Sequence, residues 1–391
     1  MQPKKWMRQM NGWLAREARF LNTNLELFKQ FCTKLLELGV LLDRSWLHIR
    51  ALHPQYAGMA RLWTRETGIE ERYLDHGFEE TSTYLTSPVR CAVEGRETGR
   101  WRLDAGAALP FPLLDELRAA GYVDYAIAPL LYSDGTANAL SWATRAAGGF
   151  DDDDLQLFHD LLPDFAVIAE IKSLRRFAAN MLRTYVGREP GELILKGQIR
   201  RGDVRTITAA LMLVDLRDFT LMSDMLAPNA VIETLNRYFD CVMLPVNRHR
   251  GEVMEIMGDG ILAIFNESVE GGPGAACRQA FEAAKEGLDA LACWNQSRPD
   301  GTPHLAAGFA LHYGTVAYGN IGSGDRLDFT VIGRDVNLTS RIERLCRELD
   351  QQLIMSGEFV ARLQEPMFEI GHFALRGVPK MQLLFGLPPA P

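Results

Sequence analysis

Gly258-Asp259-Gly260 separates two short apolar runs, residues 252–257 and 261–265. Asp-Gly between strand-like runs is a strong short-range signal for a β-hairpin, read here as a type I′ turn. Two glycines in three residues also make a helix across this stretch costly. The two runs are therefore antiparallel neighbours, and a sheet has to form around them. Residues 209–214 read as a buried strand. Residues 228–250 read as a helix, with Pro228 at its start and Gly251 past its end. Helical spacing recurs over 275–294 and 335–349. Strand patterns recur over 305–311, 315–321, 327–332, 353–355, 368–374 and 383–387. Strands and helices mixed in this way predict an α+β domain.

The rest of the chain divides ahead of this block. At 391 residues there is room for two or three domains. Residues 1–150 carry a helical pattern over 20–42 and strand patterns over 45–52, 60–64, 122–131 and 137–144. A further helix is expected over 111–120. This too reads as α+β. Residues 151–202 read as a helical connector and linker. Asp151 to Asp154 supply the acidic first turn, which the helix dipole favours. Apolar positions recur every three or four residues from Leu155 to Leu182, and Pro163 marks a kink or a second start. Gly187 and Pro190-Gly191 end the pattern. Such a stripe suits a dimer seam. Residues 203–391 complete the division as the chemical domain.

Composition removes several function classes. The net charge of −8 gives no basic footprint for nucleic acid. No apolar run is long enough to span a membrane, and the basic N-terminus lacks the apolar core of a secretory signal. Six scattered cysteines show no metal-ligand spacing and read as reduced thiols of a cytoplasmic protein. The cluster Lys4, Lys5, Trp6, Arg8 and Trp13 reads as a frayed tail or a contact with an anionic surface. Trp46, His48, Trp63, His76, Trp101 and Trp142 read as core, or as the lining of a small-molecule pocket.

Three patterns in the last block carry chemistry. In Val214-Asp215-Leu216-Arg217-Asp218-Phe219-Thr220 a carboxylate ends a strand just before a helix begins. Taken alone, Asp215 serves equally well as a helix cap or as a metal ligand beside phosphate-binding amides. Asp259 sits at the hairpin tip. Where the two strands are neighbours the carboxylates converge, and a cation relieves their repulsion. Oxygen ligands of this kind suit Mg²⁺ or Mn²⁺ with a nucleoside triphosphate. In Asn337-Leu-Thr-Ser-Arg341, spacing of i, i+4 puts an amide and a guanidinium on one helical face.

Taken together, VDLRDFT, GEVMEIMGDGILAIF, GTVAYGNIGS and DFTVIGRDVNLTSRIE, in that order, resemble the catalytic domain of class III nucleotide cyclases. The resemblance covers roughly residues 205–387. It implies a ferredoxin-like α+β catalytic domain that closes ATP or GTP to the 3′,5′-cyclic monophosphate with loss of pyrophosphate. It implies two Mg²⁺ per site, replaceable by Mn²⁺, on Asp215 and Asp259. Asn337 would orient the ribose, and Arg341 would stabilise charge on the α-phosphoryl group. Leu216, Phe219, Thr220 and Gly258 would approach the substrate, and Arg376 and Lys380 offer cations for phosphate. Sites of this family lie between two catalytic domains, so one such domain per chain implies a homodimer.

The residues that match the family's base-reading pair are Glu255 and Thr330. Thr330 fits adenine, whereas Glu255 departs from the usual lysine and fits guanine, whose N1–H and 2-amino group both donate. The overall resemblance favours ATP, with GTP as the alternative. The first 150 residues loosely resemble a GAF-type sensor answering an unknown small-molecule or protein signal. The competing reading is a weakly catalytic, dimeric nucleotide-binding module. All four of Asp215, Asp259, Asn337 and Arg341 are present.

Overall fold

Small polar side chains set several helix starts near the N-terminus. Thr23 accepts a hydrogen bond from the Glu26 amide, Thr81 from that of Tyr84 and Ser87 from that of Arg90, with Pro88 following in the first turn. The computed structural model describes residues 2–51, 53–103, 106, 108–324 and 326–388, without the side chains of Gln2, Pro3 and Lys4. The chain divides into two compact units, Met1–Met181 and Leu182–Pro391.

The first unit contains α1 (Gln2–Arg16), α2 (Asn24–Glu37), β1 (Arg44–Arg50), β2 (Gly58–Thr64), β3 (Gly68–Leu74), α3 (Ser82–Leu85), α4 (Pro88–Val93), β4 (Gly99–Arg102), α5 (Pro112–Ala119), β5 (Asp124–Leu131), β6 (Ala137–Thr144) and most of α6 (Asp152–Val186). Its six strands pair antiparallel in the order β3-β2-β1-β6-β5-β4. Alternation along the strands divides the residues between two cores. Leu47, Ile49, Leu140 and Trp142 face α1, α2 and α6. Trp46, Tyr125, Ile127 and Ala139 face α3, α4 and α5.

Several expectations need correction here. The helix expected over 20–42 spans only Asn24–Glu37, and β3 and β4 were not foreseen. Leu52, at the end of an expected strand, lies outside the described residues, as does the Lys4 side chain. The basic N-terminus is not a frayed tail. It forms α1, which buries Met10, Trp13 and Leu14 in the first core. Pro163 neither breaks nor restarts α6, which runs unbroken for 35 residues. Its first half belongs to the core: Phe158 stacks on Trp142 at 4.4 Å, and Phe165 meets Phe31 at 4.7 Å. Aromatic pairs of this kind add about 1 kcal/mol each beyond area burial. Val167, Ile171 and Leu174 lie on the outer side of the same helix, exposed.

The second unit contains α7 (Arg188–Leu195), β7 (Val204–Leu216), α8 (Phe219–Met225), α9 (Pro228–Arg248), β8 (Glu252–Met257), β9 (Gly260–Asn266), α10 (Glu267–Glu270), α11 (Pro273–Ser297), β10 (Ala307–Gly322), β11 (Leu327–Ile332), α12 (Arg334–Glu348), β12 (Leu353–Ser356), α13 (Gly357–Leu363), β13 (Phe368–Phe373) and β14 (Gln382–Gly386). The sheet runs β13-β14-β12-β10-β7-β9-β8, with β11 also paired to β10. The β10–β12 pair is parallel and the others are antiparallel. Two strands expected over 305–321 are one strand of 16 residues, β10, because Gly314 continues the ladder opposite Ala209. Pro190-Gly191 does not end a helix but lies inside α7.

Central strand β7 alternates cleanly. Ala210, Met212, Val214 and Leu216 join a core with α9, α11 and α13. Ala209, Leu211 and Leu213 pack on the other face with Val316, Tyr318 and Val331. By the same period of two, Asp215 continues this second face, where the apolar run gives out.

Candidate active site

The register of three strands brings Asp215 to the hairpin tip. Val214 pairs with Ile261, and Met257 pairs with Gly260, leaving Gly258-Asp259 as a two-residue turn. The left-handed φ of 68° falls on Gly258, and Asp259 has no positive φ. That is the pattern of a type II′ turn, not the expected I′. A Cβ on Gly260 would stand 3.4 Å from Asp215 Oδ1, so that carboxylate lies against the turn carrying Asp259.

The site holds excess negative charge. Burial, then the charge of Asp259, pushes Asp215 up to about 6, against a smaller lowering by Arg347. Burial also raises Asp259. Glu343 on α12 is pushed to about 7 by burial and then by Asp215. Tyr238 on α9 is buried with its hydroxyl unpartnered. Burial and the same carboxylates raise it well above its ordinary value. A divalent cation fits this charge. Among the described residues no cluster of three or more His, Cys, Asp or Glu side chains could hold a metal. A cation on Asp215 and Asp259 would therefore need ligands from substrate phosphates and water, the usual habit of Mg²⁺.

Glu343 and Tyr238 escaped the sequence reading. Glu343 arrives through a close approach: a Cβ on Gly308 would clash with Cys346 Cβ at 2.8 Å and lie 3.1 Å from Glu343 Oε1. Gly308 pairs with Asp215, so glycine here lets α12 settle beside the site. The motif spacing held no signal for this contact, although Glu343 closes the motif that ends in SRIE.

Beyond Asp215 the chain turns through Leu216, Arg217 and Asp218 before α8 begins. Asp218 adopts φ 59°, and the first bond into the helix runs from the Met222 amide to the Asp218 carbonyl. The amides of Phe219 and Thr220 precede that bond and have no intrahelical acceptor. The Leu216 side chain is core, and Phe219 packs partly on the same core.

Asn337 and Arg341 lie on α12 as expected, about 120° and 160° round the helix from Glu343, and the cation acting on Asp215 is Arg347 rather than Arg341. Arg341 donates from Nε to the Arg376 carbonyl and from Nη1 to the Asn337 carbonyl at 3.1 Å. Among the described residues neither Asn337 nor Arg341 bonds to Asp215 or Asp259. They precede Cys346, which packs over Gly308, by roughly 13 Å and 7 Å along the helix axis. Arg376 and Lys380 lie in the loop joining β13 to β14, both exposed. Glu255 and Thr330 do meet: the Thr330 hydroxyl donates to Glu255 Oε2 at 3.3 Å. Ile256, Met257 and Ile332, on the same two strands, are exposed.

Comparison with known proteins follows this geometry. Residues 204–385 match the family described as the adenylate and guanylate cyclase catalytic domain. Adenylate cyclase 1 of Rhizobium meliloti (strain 1021) is 30% identical over 236 residues, 58% of this chain and 35% of that protein. An adenylate cyclase of Anabaena cylindrica is 28% identical over 201 residues, 50% of this chain and 38% of that one. The crystal structure of the guanylyl cyclase Cya2 is 29% identical and covers 48% of this chain and 93% of its own, with a TM-score of 0.42. This chain thus spans little more than a third of the length of the two curated relatives. No helix among the described residues is long and apolar enough to cross a membrane.

Proposed function

Residues 204–385 are a class III nucleotide cyclase catalytic domain, and from that premise we propose that this chain converts ATP to 3′,5′-cyclic AMP and pyrophosphate as a homodimer. The observation that carries this reading is the meeting of Asp215 with the Gly258-Asp259 turn, beside amides left free at the start of α8. Mg²⁺ on the two carboxylates would activate the ribose 3′-hydroxyl and neutralise the triphosphate. Asp215, near the end of central strand β7, and Asp259, in the β8–β9 turn, would hold that charge. The amides of Phe219 and Thr220, with the backbone at Leu216 and Gly258, receive phosphate oxygens. Asn337 orients the ribose, and Arg341 offers its remaining N–H donors to the α-phosphoryl oxygens as their charge grows. Arg376 and Lys380 supply outer cations for the phosphates. Because Asn337 and Arg341 face another side of α12 from Glu343 and bond to neither aspartate among the described residues, they are assigned to the site of a second copy.

Two features bear on the base. The named adenylate cyclases support adenine. The Glu255–Thr330 pair supports a second reading, cyclic GMP from GTP, since a carboxylate accepts from guanine N1–H and its 2-amino group. Product formation from ATP and from GTP, each with Mg²⁺ and with Mn²⁺, tests both readings. No cyclic product from either would reject cyclisation and leave a nucleotide-binding module.

The N-terminal unit is read as a GAF-like sensor that controls this activity. Its antiparallel six-stranded sheet, layered by helices on both faces, supports that role.

A further inference from the structure

One face of β1 opens onto a cavity of about 320 Å³ beneath α3, α4 and α5. Arg44, Trp46 and His48 alternate along the strand, so all three point the same way. Phe78, Tyr84 and Tyr125 complete an aromatic lining, with exposed Glu116 also bordering the space. Among the described residues, two groups in this lining leave hydrogen-bonding capacity unused. The His48 ring is 3% exposed, and its Nε2 makes no hydrogen bond. Burial, helped by Arg50, lowers its pKa to about 4, so the ring is neutral near pH 7 and Nε2 can accept or donate. The Arg44 guanidinium makes no hydrogen bond or ion pair among the described residues; it lies 5.8 Å from the Trp46 ring, and the Glu116 charge at the cavity's border offsets only part of its burial. Burial lowers its pKa too, which marks a cation short of solvation.

Unpaired polar groups beside aromatic walls cost stability unless a ligand completes them. We propose that this cavity binds a small planar aromatic carboxylate, with the carboxylate on Arg44, the ring against Trp46, Phe78 and Tyr125, and a ring N–H on His48 Nε2. A cavity of this size holds a bicyclic ring with one substituent. The inference deepens the sensor reading of this unit by naming its ligand class. Binding itself does not depend on whether the chain cyclises a nucleotide.

Calorimetry of the full chain with indole-3-carboxylate tests the site, with indole-3-carboxamide as the uncharged control. Saturable binding at a single site per chain is expected, with the amide at least about tenfold weaker, as befits loss of a charge-assisted contact. Arg44→Gln should weaken the carboxylate by a similar factor. Ser82→Trp, on an exposed cavity-lining position of α3, should block binding without touching Arg44, so the test survives if Arg44→Gln fails to fold. Melting curves check that each variant is folded. No saturable binding at millimolar indole-3-carboxylate, an equally tight amide, or unchanged affinity in folded Arg44→Gln or Ser82→Trp would each overturn the proposal. Cyclase rates on the same samples separate the two readings. Binding without turnover removes the catalytic reading alone, and turnover without binding removes the cavity alone.

Discussion

Asp259 can become asparagine without disturbing the turn, because Asn suits hairpin loops as Asp does and the positive φ falls on Gly258. What Asp259→Asn removes is one of the charges a metal would need. Cyclic nucleotide production should fall by roughly two orders of magnitude or more, since a metal-held charge contributes several kcal/mol. The melting temperature should hold or rise, because a half-buried charge beside Asp215 is gone. A wild-type rate in this variant would contradict the metal role. Glu255→Lys replaces the acceptor that Thr330 now meets with a donor. The ratio of kcat/KM for ATP over GTP should rise by about tenfold or more, and an unchanged ratio would place Glu255 away from the base. Asp259 stood out in the sequence through the Gly-Asp-Gly spacing, whereas Glu255 stood out only through the family resemblance. Glu343 and Tyr238 did not stand out. Their nearness to Asp215 follows from how closely α12 and α9 pack, and Gly308 becomes meaningful only once its strand partner is known.

At the scale of elements, long, strongly patterned segments were legible and joints were not. β6, β8 and β11 occupy the ranges expected of them, while β10 was divided at Gly314, a residue the ladder carries without interruption. α1 was missed because its many charged and polar residues hide three core positions, Met10, Trp13 and Leu14. α7 was missed because Pro190 and Gly191 read as breakers, yet Pro190 falls in the first turn, where its lost amide matters least. This helix docks through a carboxylate. Glu252 on β8 accepts from the Glu189 amide and, at 3.4 Å, from the Tyr318 hydroxyl. Burial, with the Glu189 carboxylate beside it, pushes Glu252 from 4.5 up to about 7. The raised value means that the protonated form suits the fold. Its stabilisation is full below pH 4.5 and is lost as pH rises through 7. Glu252→Gln keeps an acceptor and cannot ionise. Its advantage over wild type should therefore grow between pH 5 and pH 8, by on the order of 2 kcal/mol. Urea midpoints at the two pH values measure this, and an equal gap at both would contradict it.

At the scale of the whole molecule, the proposed site residues of one chain fall into two groups that face different ways. Asp215 and Asp259 lie at the end of β7 and in the β8–β9 turn, whereas Arg341 and Asn337 lie about 160° and 120° round α12 from Glu343, which feels the Asp215 charge. Ile256, Met257 and Ile332, near Glu255 and Thr330 along their strands, are exposed, as are Val167, Ile171 and Leu174 on α6. Apolar surface of this kind suits a self-complementary interface. In such a dimer each site takes its carboxylates from one chain and its amide and guanidinium from the other. Asp215→Ala and Asn337→Ala should each be inactive alone. Mixed one to one with free subunit exchange, about half of the dimers combine the two variants, and each of these has one intact site of two. The cyclase rate of that mixture is the most direct measurement. Recovery to about a quarter of the wild-type rate is expected, and a mixture as inactive as its parents, despite demonstrated exchange, would contradict the shared site.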